Sequence, residues 1–421
     1  MVNLYIYFQE YPLDKMKVSR RNAIKKTAAG LTSMMIAPQF LRAAEAVKPF
    51  GEDHANLETL TTGEWWKRPG NLTTPLKNGR KAAPPNLNIP RNQVVVFALY
   101  TQQNAVLKLT AQLFPLKPGE ARQVRLELKF PKEDWKEVAQ AEVLYPGWDA
   151  HFRIEEWDDS VDVQYRVRHG KGAKFEGLIR KDPRNKEEIV VANLSCNSSR
   201  TTGPRKEIVD NLRKLNPDLL FFGGDQTYRH TEHTAGWIEF GLQYRDIIRD
   251  RPTVAIPDDH DVGHPNVWGE NGKHSSIPGN ADGGYKFPVD YVNLVQRQQT
   301  WSLPDPVDPD PVNRNIGVYF TRLTVGKVDF AILEDRKFKT GPAGKIPQMG
   351  PRPDHINDPS YDPSKIDLEG LELLGPRQEK FLEEWTEDWT DSDMKCVLSQ
   401  TAFCGAVHMH GSRNSRLLAD L

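Results

Sequence analysis

Between Asn92 and Ile179 apolar and polar positions alternate in short runs: Val94 to Tyr100, Ala105 to Phe114, Ala121 to Phe130, Val138 to Tyr145 and Val161 to Arg168. Pro-Gly, Pro-Lys-Glu-Asp and Gly-Lys-Gly turns separate them, and no helical pattern intervenes. Strands at that spacing predict a small antiparallel sandwich over residues 89–182. From Ile189 the period changes. Continuous apolar runs at Ile189 to Leu194, Asp218 to Phe222 and Pro252 to Ile256 alternate with helical patterns at Pro204 to Leu215 and Trp237 to Ile248. Strand, helix, strand, helix, strand predicts βαβ units around a parallel sheet, and such sheets bind ligands beyond the carboxyl ends of their strands. Each of the three runs ends there in potential metal ligands: Ser195-Cys196-Asn197, then Gly224-Asp225-Gln226-Thr227-Tyr228, then Pro257-Asp258-Asp259-His260-Asp261.

The remaining segments frame this centre. Val47 to Asn88 is polar and rich in Pro and Gly, a strap whose only large apolar anchor is Trp65-Trp66. A charged linker, Arg180 to Glu188, precedes the first buried strand. His264 to Asp290 reads as a long loop over the site, and Leu303 to Arg314 as a stiff acidic loop lacking the spacing of a calcium-binding EF-hand. Val318 to Leu333 forms a hairpin ending in Glu334-Asp335-Arg336. Gly375 to Trp389 is a helix with Leu382, Trp385 and Trp389 on one core face, and Met394 to Ala402 is a further strand running into Cys404, His408 and His410.

The amino terminus has another character. Met1 to Lys15 is irregular and reads as a misassigned start; Met16 opens a basic stretch holding Arg20 and Arg21, followed by a short apolar run and Ala44-Glu45-Ala46. That order, over residues 16–46, resembles a signal peptide of the twin-arginine (Tat) type, which implies the Tat machinery as partner and a periplasmic or extracellular destination. No stretch is long and apolar enough to span a bilayer in the mature form. With 56 basic against 57 acidic residues, no nucleic-acid or membrane surface is implied, and three cysteines are too few for a disulfide scaffold.

The three clusters suit a metal site. Asp225 has the chemistry to bridge two cations, Cys196 offers a soft thiolate, and a Tyr228 phenolate needs a strongly polarising metal such as ferric iron. Three carboxylates flanking His260 repel one another unless a cation neutralises them, and beside them His260 would hold the proton that a leaving-group acid requires.

Ser195-Cys196, Gly224-Asp225-x-x-Tyr228, Asp258-Asp259-His260-Asp261 and Glu334-Asp335-Arg336, in that order, resemble the successive motifs of the PhoD-like alkaline phosphatases, a branch of the calcineurin-like metallophosphoesterases. The resemblance implies an α/β fold, a four-layer αββα phosphoesterase domain over residues 189–421 behind an Ig-like β-sandwich. It also implies ferric iron with calcium (Fe3+ and Ca2+), and Cys196, Asp225, Tyr228 and Asp259 as ligands. His260 takes the place of the histidine that contacts phosphate or the leaving group, and Asp335 and Arg336 fall in the substrate region. Pro257 and Asp261 replace the Trp and Glu common in the family, so substrate preference does not carry over. The Cys and Tyr ligands argue against zinc or manganese.

The expected activity is that of an exported phosphomonoesterase or phosphodiesterase in which metal-bound hydroxide attacks phosphorus in line. The alternative is a non-catalytic envelope protein that keeps the fold and binds carbohydrate or protein. The family's later Gly-Asp-x-His motif has no counterpart after His410, so the domain reads as C-terminally truncated and its activity as impaired.

Overall fold

In the computed structural model, which describes residues 48–68, 74–75, 81–197, 204–264, 266–276, 282–348, 355–356, 360, 362, 368–401 and 417–418, the alternating stretch forms seven antiparallel strands. They are β1 (Val95–Gln103), β2 (Val106–Leu113), β3 (Gln123–Lys129), β4 (Lys136–Glu142), β5 (Asp149–Ile154), β6 (Val163–His169) and β7 (Ala173–Ile179). One sheet has the order β1-β2-β5 and the other β4-β3-β6-β7. Strands β5 and β7 are not announced by the apolar runs. β5 opens on Asp149, which is fully buried, and its polar start hides it. Burial alone would raise the Asp149 carboxyl. The Arg297 guanidinium, 2.8 Å from each oxygen, overrides it and holds the pKa at about 2, with His151 helping.

Beyond the sandwich lie β8 (Val191–Leu194), α1 (Lys206–Leu215), β9 (Leu219–Phe222), α2 (His233–Ile248), β10 (Thr253–Ala255) and α3 (Val289–Thr300). They are followed by β11 (Thr321–Val325), β12 (Val328–Ile332), α4 (Asp335–Phe338), α5 (Gly375–Glu387) and β13 (Met394–Leu398). β8, β9 and β10 are parallel neighbours; β11 pairs antiparallel and β13 parallel with β12. Leu219, Phe221 and Val254 share a core with Leu323, Phe330 and Ile332, so the two sheets face each other. Leu220, Phe222 and Ala255 point the other way, against Val209, Leu212 and Phe240 of the helices. Burial on both faces is why these strands read as unbroken apolar runs.

Helix α2 is buried on more than one side. Trp237 meets Phe97 of β1 edge to face at 5.4 Å, and a Cβ on Gly241 would stand 2.0 Å from the Phe97 ring. The sandwich and the parallel sheet therefore share one continuous core through α2. Two expectations need correction. Trp389 lies past the end of α5 and is 54% exposed, whereas Phe381 and Trp385 pack inward. Trp65 is not the strap's sole anchor, since Phe50 and Leu57 are buried too.

The strap is clipped to the start of α2 by two buried carboxylates. Glu232 accepts from Leu60 N at 2.8 Å and from the Thr59 hydroxyl, and Glu58 accepts from Thr234 N at 3.0 Å and Thr61 Oγ1 at 2.9 Å. Burial, then the neighbouring Glu58, pushes Glu232 from its ordinary value of 4.5 up to about 8. The folded chain thus keeps a proton that the unfolded chain releases above 4.5. This contribution to stability is complete below that value and is lost as pH rises to about 8. Between pH 5 and 8.5 the melting temperature of wild type should fall by about 2 °C more than that of Glu232→Gln. Parallel curves in differential scanning calorimetry would remove Glu232 from the titration.

Candidate metal centre

Because β8, β9 and β10 run parallel and in register, their carboxyl-terminal loops meet. Cys196 N donates to Gly224 O at 3.1 Å and Asn197 N to Asp225 O at 2.8 Å, tying the first loop to the second. Gly224, at φ +102, lets the second approach the third, where a Cβ would fall 2.4 Å from Asp258 Cβ. Cys196 and Asp225 themselves adopt φ of +58 and +59, a left-handed conformation that costs a non-glycine residue energy and concentrates at functional sites.

Asp225 is 6% exposed and is the hub. Its Oδ2 accepts from Tyr228 Oη at 2.9 Å and from Cys196 Sγ at 3.7 Å, while its Oδ1 accepts from the His260 backbone at 3.2 Å. Asp225, Asp259 and His260 each offer a donor atom, all within 4.8 Å of one another. Two donor sets, Cys196-Asp225-Tyr228 and Asp225-Asp259, thus share one carboxylate, with His260 beside the second. Burial, then the Asp258 charge, pushes Asp225 up to about 7. Burial and Asp225 likewise raise Tyr228 and Cys196, although Cys196 sits at the exposed mouth. These donors crowd carboxylates together, and Asp225 stays raised even with Arg336 pulling the other way, which is the electrostatic condition of a cation site. The residues present therefore fit the metals that the resemblance implies.

The carboxylates around His260 turn out to have separate tasks. Asp258 pairs with Arg336 at 2.8 Å, and Asp259 joins the donor group. Asp261 points inward, 1% exposed, and accepts from the backbones of Asp225 (2.8 Å), Asp258 (3.0 Å) and Thr227 (3.1 Å). It is a clamp between loops. Asp335 opens α4 and is held by Ser399 Oγ at 2.9 Å and by the Thr401 hydroxyl. Asp258 and Arg336 line a small pocket of about 20 Å³, bounded also by Tyr285, Tyr319 and Gln400.

His230, absent from the sequence reading, approaches His260 Nδ1 at 2.8 Å. No spacing rule flags it. Arg20, Arg21, Cys404, His408 and His410 lie outside the described residues, and among the described residues no helix is long and apolar enough to cross a membrane.

No family model and no curated protein matches the chain. Among solved structures it is similar to PhoD, with a TM-score of 0.55 at 14% identity over 74% of this chain, and it spans only 62% of the PhoD chain. It is also similar to purple acid phosphatase PPD1 from yellow lupin (Lupinus luteus) seeds, at 13% identity over 60% of this chain and 46% of that one, but a TM-score of 0.38 carries no argument. The likeness to PhoD, together with a charged donor cluster at the ends of the parallel strands, shows that this chain has a PhoD-like phosphatase fold.

Proposed function

We propose that the chain is an exported, metal-dependent phosphoric ester hydrolase acting on phosphomonoesters or phosphodiesters. In this reading an Ig-like sandwich stands before a four-layer αββα domain, and residues 16–46 are the Tat leader. The observation that carries the proposal is the sharing of Asp225 by two donor sets. Cys196, Tyr228 and Asp225 would hold ferric iron, for which thiolate and phenolate are suited donors, and Asp225 with Asp259 would hold calcium. Bound there, the cations would supply Lewis-acid charge and lower the pKa of water.

The chain's own groups supply the rest. His260 holds a proton for the departing alkoxide, and Arg336, fixed by Asp258, sets a guanidinium beside the anionic ester. Asp335, anchored by Ser399 and Thr401, fixes the start of the helix that carries Arg336.

Metal analysis of the purified protein and hydrolysis of nitrophenyl phosphate test the proposal. Bound iron and calcium with turnover support it, whereas a folded, metal-free, inactive protein favours the envelope-binding alternative. Cys196→Ala should lower bound iron and activity together, by roughly 10-fold or more, with the melting temperature unchanged. Full iron at full activity in that variant would take Cys196 out of the site.

A further inference from the structure

We infer that His230 is a positioning residue that fixes the orientation and tautomer of His260. The inference rests on the hydrolase reading and extends it to a residue two beyond Tyr228 that no motif marks. His230 Nε2 and His260 Nδ1 are 2.8 Å apart, and the ring planes differ by 12° with centroids 4.9 Å apart. Two ring radii of roughly 1.1 Å added to a bond of that length account for the separation, so the rings lie edge to edge, with an N–H···N bond in their common plane. Tyr228 closes on a different aspect of His260, tilted 35° at 4.3 Å. One neighbour fixes the ring's edge and the other its tilt.

The consequence concerns the remaining nitrogen. With Nδ1 engaged, His260 Nε2 is the atom turned toward Asp259, 3.9 Å from Oδ2, within the donor group that includes Asp225. A neutral imidazole carries one proton, and the Asp259 carboxylate on the Nε2 side favours it there. Nδ1 is then bare and accepts from His230 Nε2–H. The result is an N–H held at the donor group, where a leaving oxygen can take its proton.

The backbone at His230 and Thr231 is held from three directions. Tyr291 Oη of α3 donates to its carbonyl at 2.9 Å, and Gly263, at φ +79, passes so close that a Cβ would stand 2.3 Å from the same oxygen. The strap adds Glu58 N donating to Thr231 O at 2.7 Å. A loop residue pinned in this way can transmit a fixed geometry to its neighbour.

Two measurements test this. In the metal-loaded protein, His230→Ala should reduce turnover of an alkyl phosphate by about 10- to 100-fold and of a nitrophenyl ester by far less. Metal content and melting temperature should be unchanged, and His230→Gln, whose amide reaches the position of Nε2, should recover most of the loss. In the metal-free protein labelled with ¹⁵N-histidine, long-range ¹⁵N–¹H spectra should show His260, assigned by its absence in His260→Asn, as the Nε2–H tautomer in wild type and as an average of both tautomers in His230→Ala. An unchanged His260 signature in His230→Ala, an equal loss on both esters, or no recovery with Gln would overturn the inference. If loaded wild type hydrolyses neither ester while the tautomer shifts as expected, the hydrolase reading fails and the positioning role stands.

Discussion

His260→Asn is expected to cut turnover of alkyl phosphates by about 10²- to 10⁴-fold, the usual contribution of a positioned general acid, while nitrophenyl esters lose far less. The difference follows from the leaving group: an alkoxide is a strong base and needs a proton as the bond to phosphorus breaks, whereas nitrophenolate departs without one. The substitution suits the question because the backbone N–H of residue 260, which donates to Asp225 Oδ1 at 3.2 Å, survives it. Asn also keeps a polar side chain in a position only 5% exposed, so the loop is not left with an empty polar site. The measurement is kcat and kcat/KM on the two ester classes at equal metal content. Equal losses on both would leave His260 as a ligand or a structural residue and would end its role as the acid.

What the sequence made legible is what local pattern encodes. The runs at β9 and β10 are apolar because both faces of the sheet are covered, β8 at the end of the sheet order is only half-buried, and the loops after all three come together because the strands are parallel and in register. Position alone puts Cys196, Asp225, Tyr228, Asp259 and His260 in loops that meet beyond the strand ends, while the ligand role of Asp259 came only from the resemblance. Orientation was not legible. Asp258, Asp259 and Asp261 are nearly adjacent in sequence, yet one pairs with Arg336, one faces the donor group and one points inward. Nothing in a run of like charges distributes those tasks; the backbone turn after β10 does. His230 was invisible for a related reason, because its partner is supplied by another strand's loop. β5 was missed because the buried Asp149 at its start is compensated by Arg297 of α3, a contact far away in sequence.

Asp261→Ala should destabilise the metal-free protein by about 3–5 kcal/mol, the largest stability effect expected of a change at this site. The carboxylate is the acceptor for three buried backbone donors, those of Asp225, Thr227 and Asp258, at 2.8, 3.1 and 3.0 Å. Removing it leaves each without a partner in a place where Asp261 itself is only 1% exposed, and an orphaned buried donor costs about 1–3 kcal/mol. Burial and the Asp225 charge push the Asp261 carboxyl well above its ordinary range, while the N–H groups of Asp258 and Thr227 pull the other way. The clamp is therefore a compromise whose benefit lies in holding Asp225 at φ +59 against the loop of β10. Without it, Asp225 can relax toward ordinary backbone angles, and both donor sets that share it lose their common member. Equilibrium urea denaturation of the metal-free protein separates this role from ligation. A clamp lowers the midpoint before any metal is added, whereas a pure ligand leaves it unchanged and weakens only metal affinity. A metal-free Asp261→Ala protein with a wild-type midpoint would end the clamp role of Asp261 and leave the meeting of the two loops to the backbone bonds from Cys196 and Asn197.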